Sequence, residues 1–212
     1  MINIVAGGPD YLIPDLTQIA AQDVAAIWIG VDRGALYLIE AGINPHCAIG
    51  DFDSVSASEK QLIQNSSRHF QTFQTKKDYT DLESALRYAC ELSGERIFIY
   101  GATGGRIDHQ MSSMMLLEGF IQKKEIVLID IHNEIRMLAP GTYSFHKNDK
   151  KYISILAVSD YLTGLTLSGM KYPLLDHTLH RRDSLAISNE ISNEVGHISF
   201  SDGICLVVRS KD

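Results

Sequence analysis

The first 130 residues alternate short apolar runs with stretches of helical periodicity, and few folds accommodate that alternation. Apolar runs occupy 2–5, 25–31, 47–49, 69–73, 97–100 and 126–129, with amphipathic segments near 15–23, 34–41, 57–66, 81–93 and 107–119 between them. Strands joined by helices of this length form parallel crossover units. The pattern therefore predicts an open, mostly parallel α/β sheet with helices on both faces. Ser56 with Glu59 and Thr80 with Glu83 have capping-box spacing, and Gly42 and Gly94 stand where helices stop. Met111, Met114, Met115 and Leu117 read as a core stripe on the last of these helices.

Beyond residue 130 the texture changes. Short runs at 135–138, 152–158, 165–167, 185–187, 197–200 and 204–208 are separated by turn signals such as Pro140-Gly141, Asn148-Asp149 and Asp202-Gly203. No long helical period appears, so this part is expected to be antiparallel β, a small sandwich or barrel. Two domains follow, 1–130 and 131–212. The segment Ile187-Ser188-Asn189-Glu190 repeats at once as Ile191-Ser192-Asn193-Glu194. Four residues are too few for a repeat architecture, so the repetition is coincidental unless one copy is functional.

A chain of 212 residues that is 45% hydrophobic can build a substantial core. Its net charge of -7 argues against a nucleic-acid surface, which needs a basic stripe. It leaves room for a nucleotide, because a metal ion and backbone N–H groups can carry phosphates, and it suits a cationic substrate. Cys47, Cys90 and Cys205 are odd in number and far apart, which points to a reducing compartment. The N-terminus reads as a strand rather than a secretory signal, and no apolar run reaches the roughly 18 residues of a membrane span. A cytoplasmic protein without a membrane or nucleic-acid partner is expected.

Ligands of open α/β sheets bind outside the carboxyl ends of the strands. Those ends carry Gly7-Gly8-Pro9-Asp10, Asp32-Arg33-Gly34, Gly50-Asp51-Phe52-Asp53-Ser54, Lys76-Lys77-Asp78-Tyr79-Thr80-Asp81 and Gly101-Ala102-Thr103-Gly104-Gly105-Arg106 followed by Asp108-His109. Glycine and carboxylate thus collect on one edge. In an extended segment Asp51 and Asp53 would point the same way, about 7 Å apart at Cα, with Phe52 turned inward. Two carboxylates facing one point call for a hard cation such as Mg²⁺. The loop 101–106 would bring backbone N–H groups to phosphate, aided by the helix that follows. It is neither a Walker A loop nor a G-x-G-x-x-G. Asp81 is either a third metal carboxylate or an acid favoured by its helix dipole. Lys76 and Lys77 are phosphate-binding or solvated. Asp32 orients a ligand or caps the next helix. His177 and His180 lack a third metal ligand with matching spacing and read as a solvated turn. No G-x-S-x-G elbow supports a hydrolase triad.

These motifs, in this order, resemble thiamine pyrophosphokinase: Gly50-Asp51-Phe52-Asp53-Ser54, Lys77-Asp78-Tyr79-Thr80-Asp81, and Gly101-Ala102-Thr103-Gly104-Gly105-Arg106-Ile107-Asp108-His109. The likeness continues through Asp130, Asn133, Gly164-Leu165-Thr166, Gly169-Met170-Lys171-Tyr172-Pro173-Leu174, Ser184 and Ser188-Asn189-Glu190. The resemblance implies an α/β nucleotide- and metal-binding domain followed by a β-sandwich for thiamine binding and dimerisation. It also implies a homodimer with its active site at the subunit interface. The implied reaction moves a pyrophosphoryl group from ATP to the hydroxyl of thiamine, giving thiamine diphosphate and AMP, by Mg²⁺-assisted in-line attack on the β-phosphorus.

Carried over, Asp51, Asp53 and Asp81 are the implied metal ligands, and with Asp78 and Asp108 they form the catalytic acids. Gly7, Gly8, Asp32, Arg33, Lys77, Gly101, Thr103, Gly104, Gly105 and Arg106 face ATP. Ser184, Ser188 and Asn189 face thiamine, and the resemblance supplies no aromatic to stack on its ring. Competing readings are a Mg²⁺-dependent phosphohydrolase and a non-catalytic nucleotide sensor on the same scaffold.

Overall fold

Strand β1 (Ile2–Val5) sits in a parallel sheet with the order β6-β5-β1-β2-β3-β4, where β2 is Ile27–Val31, β3 Cys47–Gly50, β4 His69–Thr72, β5 Arg96–Tyr100 and β6 Glu125–Ile129. The structure, a computed structural model, describes residues 1–72 and 79–212. It divides into two units, Met1–Ile131 and His132–Asp212. From β1 the chain winds outward to β4, then returns to the other side of β1 to lay down β5. The gap between β1 and β5 is therefore the topological switch point, where such sheets take ligands.

Helices α1 (Leu16–Gln22), α2 (Arg33–Glu40), α3 (Ala57–Ser66), α4 (Asp81–Glu91) and α5 (Ile107–Leu116) fill the crossovers. One sheet face packs Val5, Trp28 and Tyr100 against Leu16 of α1 and Leu38 of α2. The same face, farther along, packs Ala48 against Ala35, Leu36 and Ile63 of α2 and α3. Alternation turns Ile4 and Ile29, both fully buried, to the opposite face, and α4 lies against β1, β2 and β3. Ser56 and Glu59 form the complete capping box at α3. At α4 only half of it forms: Thr80 accepts from the Glu83 N–H, and the Glu83 carboxylate turns to Arg87 instead.

The second unit is a β-sandwich. One sheet runs β12-β9-β14-β7 and the other β11-β10-β13-β8, antiparallel throughout. Its strands are β7 Asn133–Leu138, β8 Gly141–His146, β9 Tyr152–Ala157, β10 Tyr161–Ser168, β11 Leu174–His180, β12 Asn189–Glu190, β13 Val195–Phe200 and β14 Cys205–Ser210. Ile153, Ile155 and Val207 from one sheet meet Leu162, Leu165, Ile198 and Phe200 from the other to form its core.

Four expectations change. Residues 185–187 form no strand: Leu185 and Ile187 are exposed, and only Ala186 is buried. Strands β8 and β11 lie where no apolar run marked them. His177 and His180 belong to β11 and not to a turn. Met111 and Met115 are 58% and 41% exposed, so they are no core stripe, although Leu117 is buried. Of the expected strand at 69–73, His69–Thr72 is formed as β4, and Phe73 lies outside the described residues.

Candidate active site at the strand ends

At the switch point the loops after β1 and β5 are joined backbone to backbone. The Ala6 N–H donates to the Tyr100 carbonyl and the Gly8 N–H to the Gly101 carbonyl, both at 2.8 Å. A Cβ on Gly8 would stand 2.3 Å from the Gly101 oxygen, and one on Gly101 2.3 Å from the Ala6 oxygen. No other residue fits at either place, and the result is a crevice walled by main chain. Gly104 and Gly105 follow with φ of 78° and 66°, a conformation glycine adopts without penalty. The Gly104 N–H donates to Gln110 Oε1 at 2.9 Å, and Thr103 Oγ1 donates to Asp130 Oδ2 at 2.7 Å. Helix α5 then starts without a side-chain cap, which leaves the positive end of its dipole for an anion.

Next to this crevice three carboxylates converge. Asp32 follows β2 at the N-cap position of α2, but its side chain does not cap that helix. Its Oδ1 accepts the Phe52 N–H at 3.2 Å and lies against Gly50, where a Cβ would be 1.9 Å from it. Asp51 follows β3, and Asp81 opens α4. One oxygen from each of Asp32, Asp51 and Asp81 lies within 4.8 Å of the other two. Burial, together with repulsion from Asp81, Asp51 and Asp53, pushes the Asp32 carboxyl up to about 6, against a lowering pull from the Phe52 N–H.

This trio differs from the one expected. Phe52 has φ of 60°, so the backbone is not extended at that residue, and the alternation that would align Asp53 with Asp51 is lost. Phe52 itself is buried and stacks on Phe70, with centroids 4.9 Å apart. Asp53 stays exposed; its N–H donates to Asp51 Oδ1 at 3.0 Å and its carboxylate falls outside the cluster. Asp32, brought in by the adjacency of β2 and β3, is the third carboxylate of the cluster. The sequence already set Asp32 at the same strand-end edge, and the missing Cβ of Gly50 is what lets its carboxylate come close.

Around the acids, Lys60 donates to the Asp51 carbonyl at 3.0 Å and Arg33 to the Ser54 carbonyl. Arg106 grips Asp108 with two hydrogen bonds, 2.6 and 3.2 Å. That pairing holds the Asp108 carboxyl down at about 2, which makes it a weak base. Gly7 lies tightly over Arg33: a Cβ there would stand 3.2 Å from the arginine Cβ, inside ordinary van der Waals contact. Lys76, Lys77 and Asp78 lie outside the described residues.

In the second unit Ser184 and Ser188 are exposed and Asn189 is buried. Ser188 has φ of 56°, and its N–H donates to Ser154 Oγ at 2.9 Å. The Asn189 amide clamps the backbone of Tyr172: Oδ1 accepts the Tyr172 N–H at 3.0 Å, and Nδ2 donates to the Tyr172 carbonyl at 2.8 Å. Of the two Ile-Ser-Asn-Glu copies, only the first has its asparagine buried. Tyr172, which the sequence did not single out as an aromatic for the site, is thereby held with its side chain exposed.

Comparison with known proteins gives a concordant result. A family model described as thiamin pyrophosphokinase, catalytic domain, matches residues 20–129, and one described as thiamin pyrophosphokinase, vitamin B1 binding domain, matches residues 142–205. The thiamine pyrophosphokinase of Bacillus subtilis (strain 168) is 44% identical over 213 residues, covering 100% of this chain and 99% of that protein. A crystal structure of thiamine pyrophosphokinase from Bacillus subtilis superposes with a TM-score of 0.92 at 43% identity, covering 100% of this chain and 99% of that one. One from Geobacillus thermodenitrificans gives 0.90 at 38% identity, covering 100% and 97%. With both family models in sequence order on the two units, and full-length relatives at this identity, the chain belongs to the thiamin pyrophosphokinase family.

Proposed function

We propose that this protein carries out its family's reaction, ATP-dependent pyrophosphoryl transfer to the hydroxyl of thiamine, at the strand-end site of the first unit. The observation that carries this assignment to residues is the convergence of Asp32, Asp51 and Asp81. Three oxygens so close repel one another, which adds to burial in raising the Asp32 carboxyl, and an all-oxygen donor set suits Mg²⁺. When bound there, Mg²⁺ supplies charge neutralisation for the phosphate oxygens of ATP. Asp53 borders the cluster as an added negative charge.

The main-chain crevice of Gly8 and Gly101, with Gly104, Gly105 and the start of α5, receives the triphosphate through N–H groups. Arg106 at the end of that loop keeps its Nε and Nη2 bonds to Asp108 and offers Nη1, which those bonds do not use, to a phosphate oxygen. Phosphoryl transfer asks little covalent chemistry of a protein, so positioning and charge stabilisation by these groups account for most of the rate. Asp108, held at about 2 by Arg106, serves to fix that arginine rather than to take the alcohol's proton.

The sandwich supplies the thiamine contacts: Ser184 and Ser188 are exposed, and Tyr172, locked by Asn189, offers an aromatic face. The exposed Ile107, Met111 and Met115 on α5 support a homodimer. Three free cysteines suit a reducing, cytoplasmic setting. Among the described residues no helix is long and apolar enough to cross a membrane.

Purified protein with ATP, Mg²⁺ and thiamine is expected to yield thiamine diphosphate and AMP in equal amounts, with neither formed when thiamine is omitted. Orthophosphate release without thiamine would instead indicate a phosphohydrolase. ATP binding without turnover would indicate a sensor.

A further inference from the structure

We propose that Thr103 is a positioning residue for ATP, its side chain anchored by Asp130 and making no contact with the nucleotide. The inference rests on the reading of loop 101–106 as the phosphate loop. Thr103 is 5% exposed and Asp130 3%. Their hydrogen bond of 2.7 Å joins residues 27 apart in sequence. A hydroxyl donating to a carboxylate at this length is a strong, charge-assisted bond, and it engages the one side-chain proton Thr103 could offer a phosphate.

The anchor's location explains what the bond does. Asp130 directly follows β6, the neighbour of β5 in the sheet. The loop leaving β5 is thus tied sideways to the end of the next strand. One residue later, the Gly104 N–H is tied to Gln110 of α5. The Thr103 carbonyl also bounds the space over Gly8, 3.3 Å from where a Cβ there would be. Three of the six residues in 101–106 are glycine. Such a segment loses much conformational entropy when ordered, and binding must supply that ordering unless the protein has already done so. Two side-chain ties on consecutive residues fix the loop before ATP arrives.

The test compares steady-state kinetics of full-length Thr103→Val, Thr103→Ser and Gly105→Ala with the parent protein, together with ATP affinity by calorimetry. Thr103→Val keeps the shape and removes the donor. It is expected to raise the KM and Kd for ATP about tenfold, equivalent to about 1.4 kcal/mol, with kcat and the KM for thiamine within about twofold. Thr103→Ser, which keeps the hydroxyl, is expected to restore the parent values. Should Thr103→Val fail to fold, Asp130→Asn tests the same bond with a weaker acceptor, with a rise in the ATP constants of about threefold expected.

An ATP KM unchanged in a folded Thr103→Val, or in Asp130→Asn where that variant stands in for it, while Gly105→Ala raises it, would overturn the anchor and leave the loop's role intact. If neither substitution moves the ATP constants, the loop reading fails and the anchor with it. A proportional loss of activity at unchanged KM, not restored by serine, would reduce the pair to a structural bond.

Discussion

Asp32 is the residue on which the site's electrostatics turn. Its carboxyl binds a proton more tightly in the folded protein, at about 6, than at the ordinary 3.8. Between those values the folded state holds a proton that the unfolded chain has lost. The stability associated with this group is therefore complete below about pH 4 and is lost as the pH rises through 6. Asp32→Asn removes that loss. The metal-free variant is expected to be more stable than the parent at pH 7.5, by about 1 kcal/mol once partial exposure is discounted, and equal to it near pH 4. Thermal melts at the two pH values check this; a parent protein as stable as the variant at pH 7.5 would contradict it.

The acids also separate by rate. Asp51→Asn and Asp81→Asn should each lower kcat/KM by at least about 10²–10³-fold, the scale for loss of one transition-state electrostatic contact. Asp53→Asn removes only an exposed neighbouring charge and should cost less than about fivefold. Asn189→Ala frees the Tyr172 backbone and should raise the KM for thiamine about tenfold with little change for ATP. Equal effects on both substrates would count against a thiamine role. The sequence made Asp51 and Asp81 legible because strand ends and helix starts can be read from local pattern. Asp32 was not legible as their partner, because its position depends on two strands lying side by side and on Gly50 leaving room.

At the scale of elements, α5 departs most from its pattern. Ile107, Met111 and Met115 recur at i, i+4 and i+8 and so share one face. That periodicity identifies a helix and an apolar stripe, but not what covers the stripe. Within its own unit the helix turns Ser113 inward, with its hydroxyl donating back to the His109 carbonyl at 2.8 Å, and leaves the stripe 68%, 58% and 41% exposed at the three residues. If a second copy covers this face, Met111→Glu with Met115→Glu should weaken the dimer by at least about 10²-fold. Sedimentation velocity across a concentration series would show it, and an unaltered dimer would place the interface elsewhere. Strand β8 escaped notice for a related reason. Its apolar side chains, Tyr143 and Phe145, alternate with Thr142, Ser144 and His146, so no continuous run forms. Residues 185–187 misled in the opposite direction, being locally apolar and yet exposed at Leu185 and Ile187.

Across the whole molecule, the parallel sheet was readable from the sequence because its strands, apart from the edge strand β4, are largely buried and appear as apolar runs separated by helices. The sandwich was readable as a texture but not strand by strand, since half-buried antiparallel strands leave weaker marks. The chemistry follows from topology: a chain that winds outward from β1 and then returns to lay β5 beside it opens a main-chain crevice between those two strands. The acids after β2 and β3 gather at the same edge of the sheet. On this reading Asp32, Asp51 and Asp81 together hold the divalent ion bound with ATP. Anomalous diffraction from crystals grown with Mn²⁺ and a non-hydrolysable ATP analogue tests it most directly. A manganese peak with oxygens of all three residues around it is expected; a peak held by Asp53 without Asp32, or one away from these carboxylates altogether, would overturn the assignment.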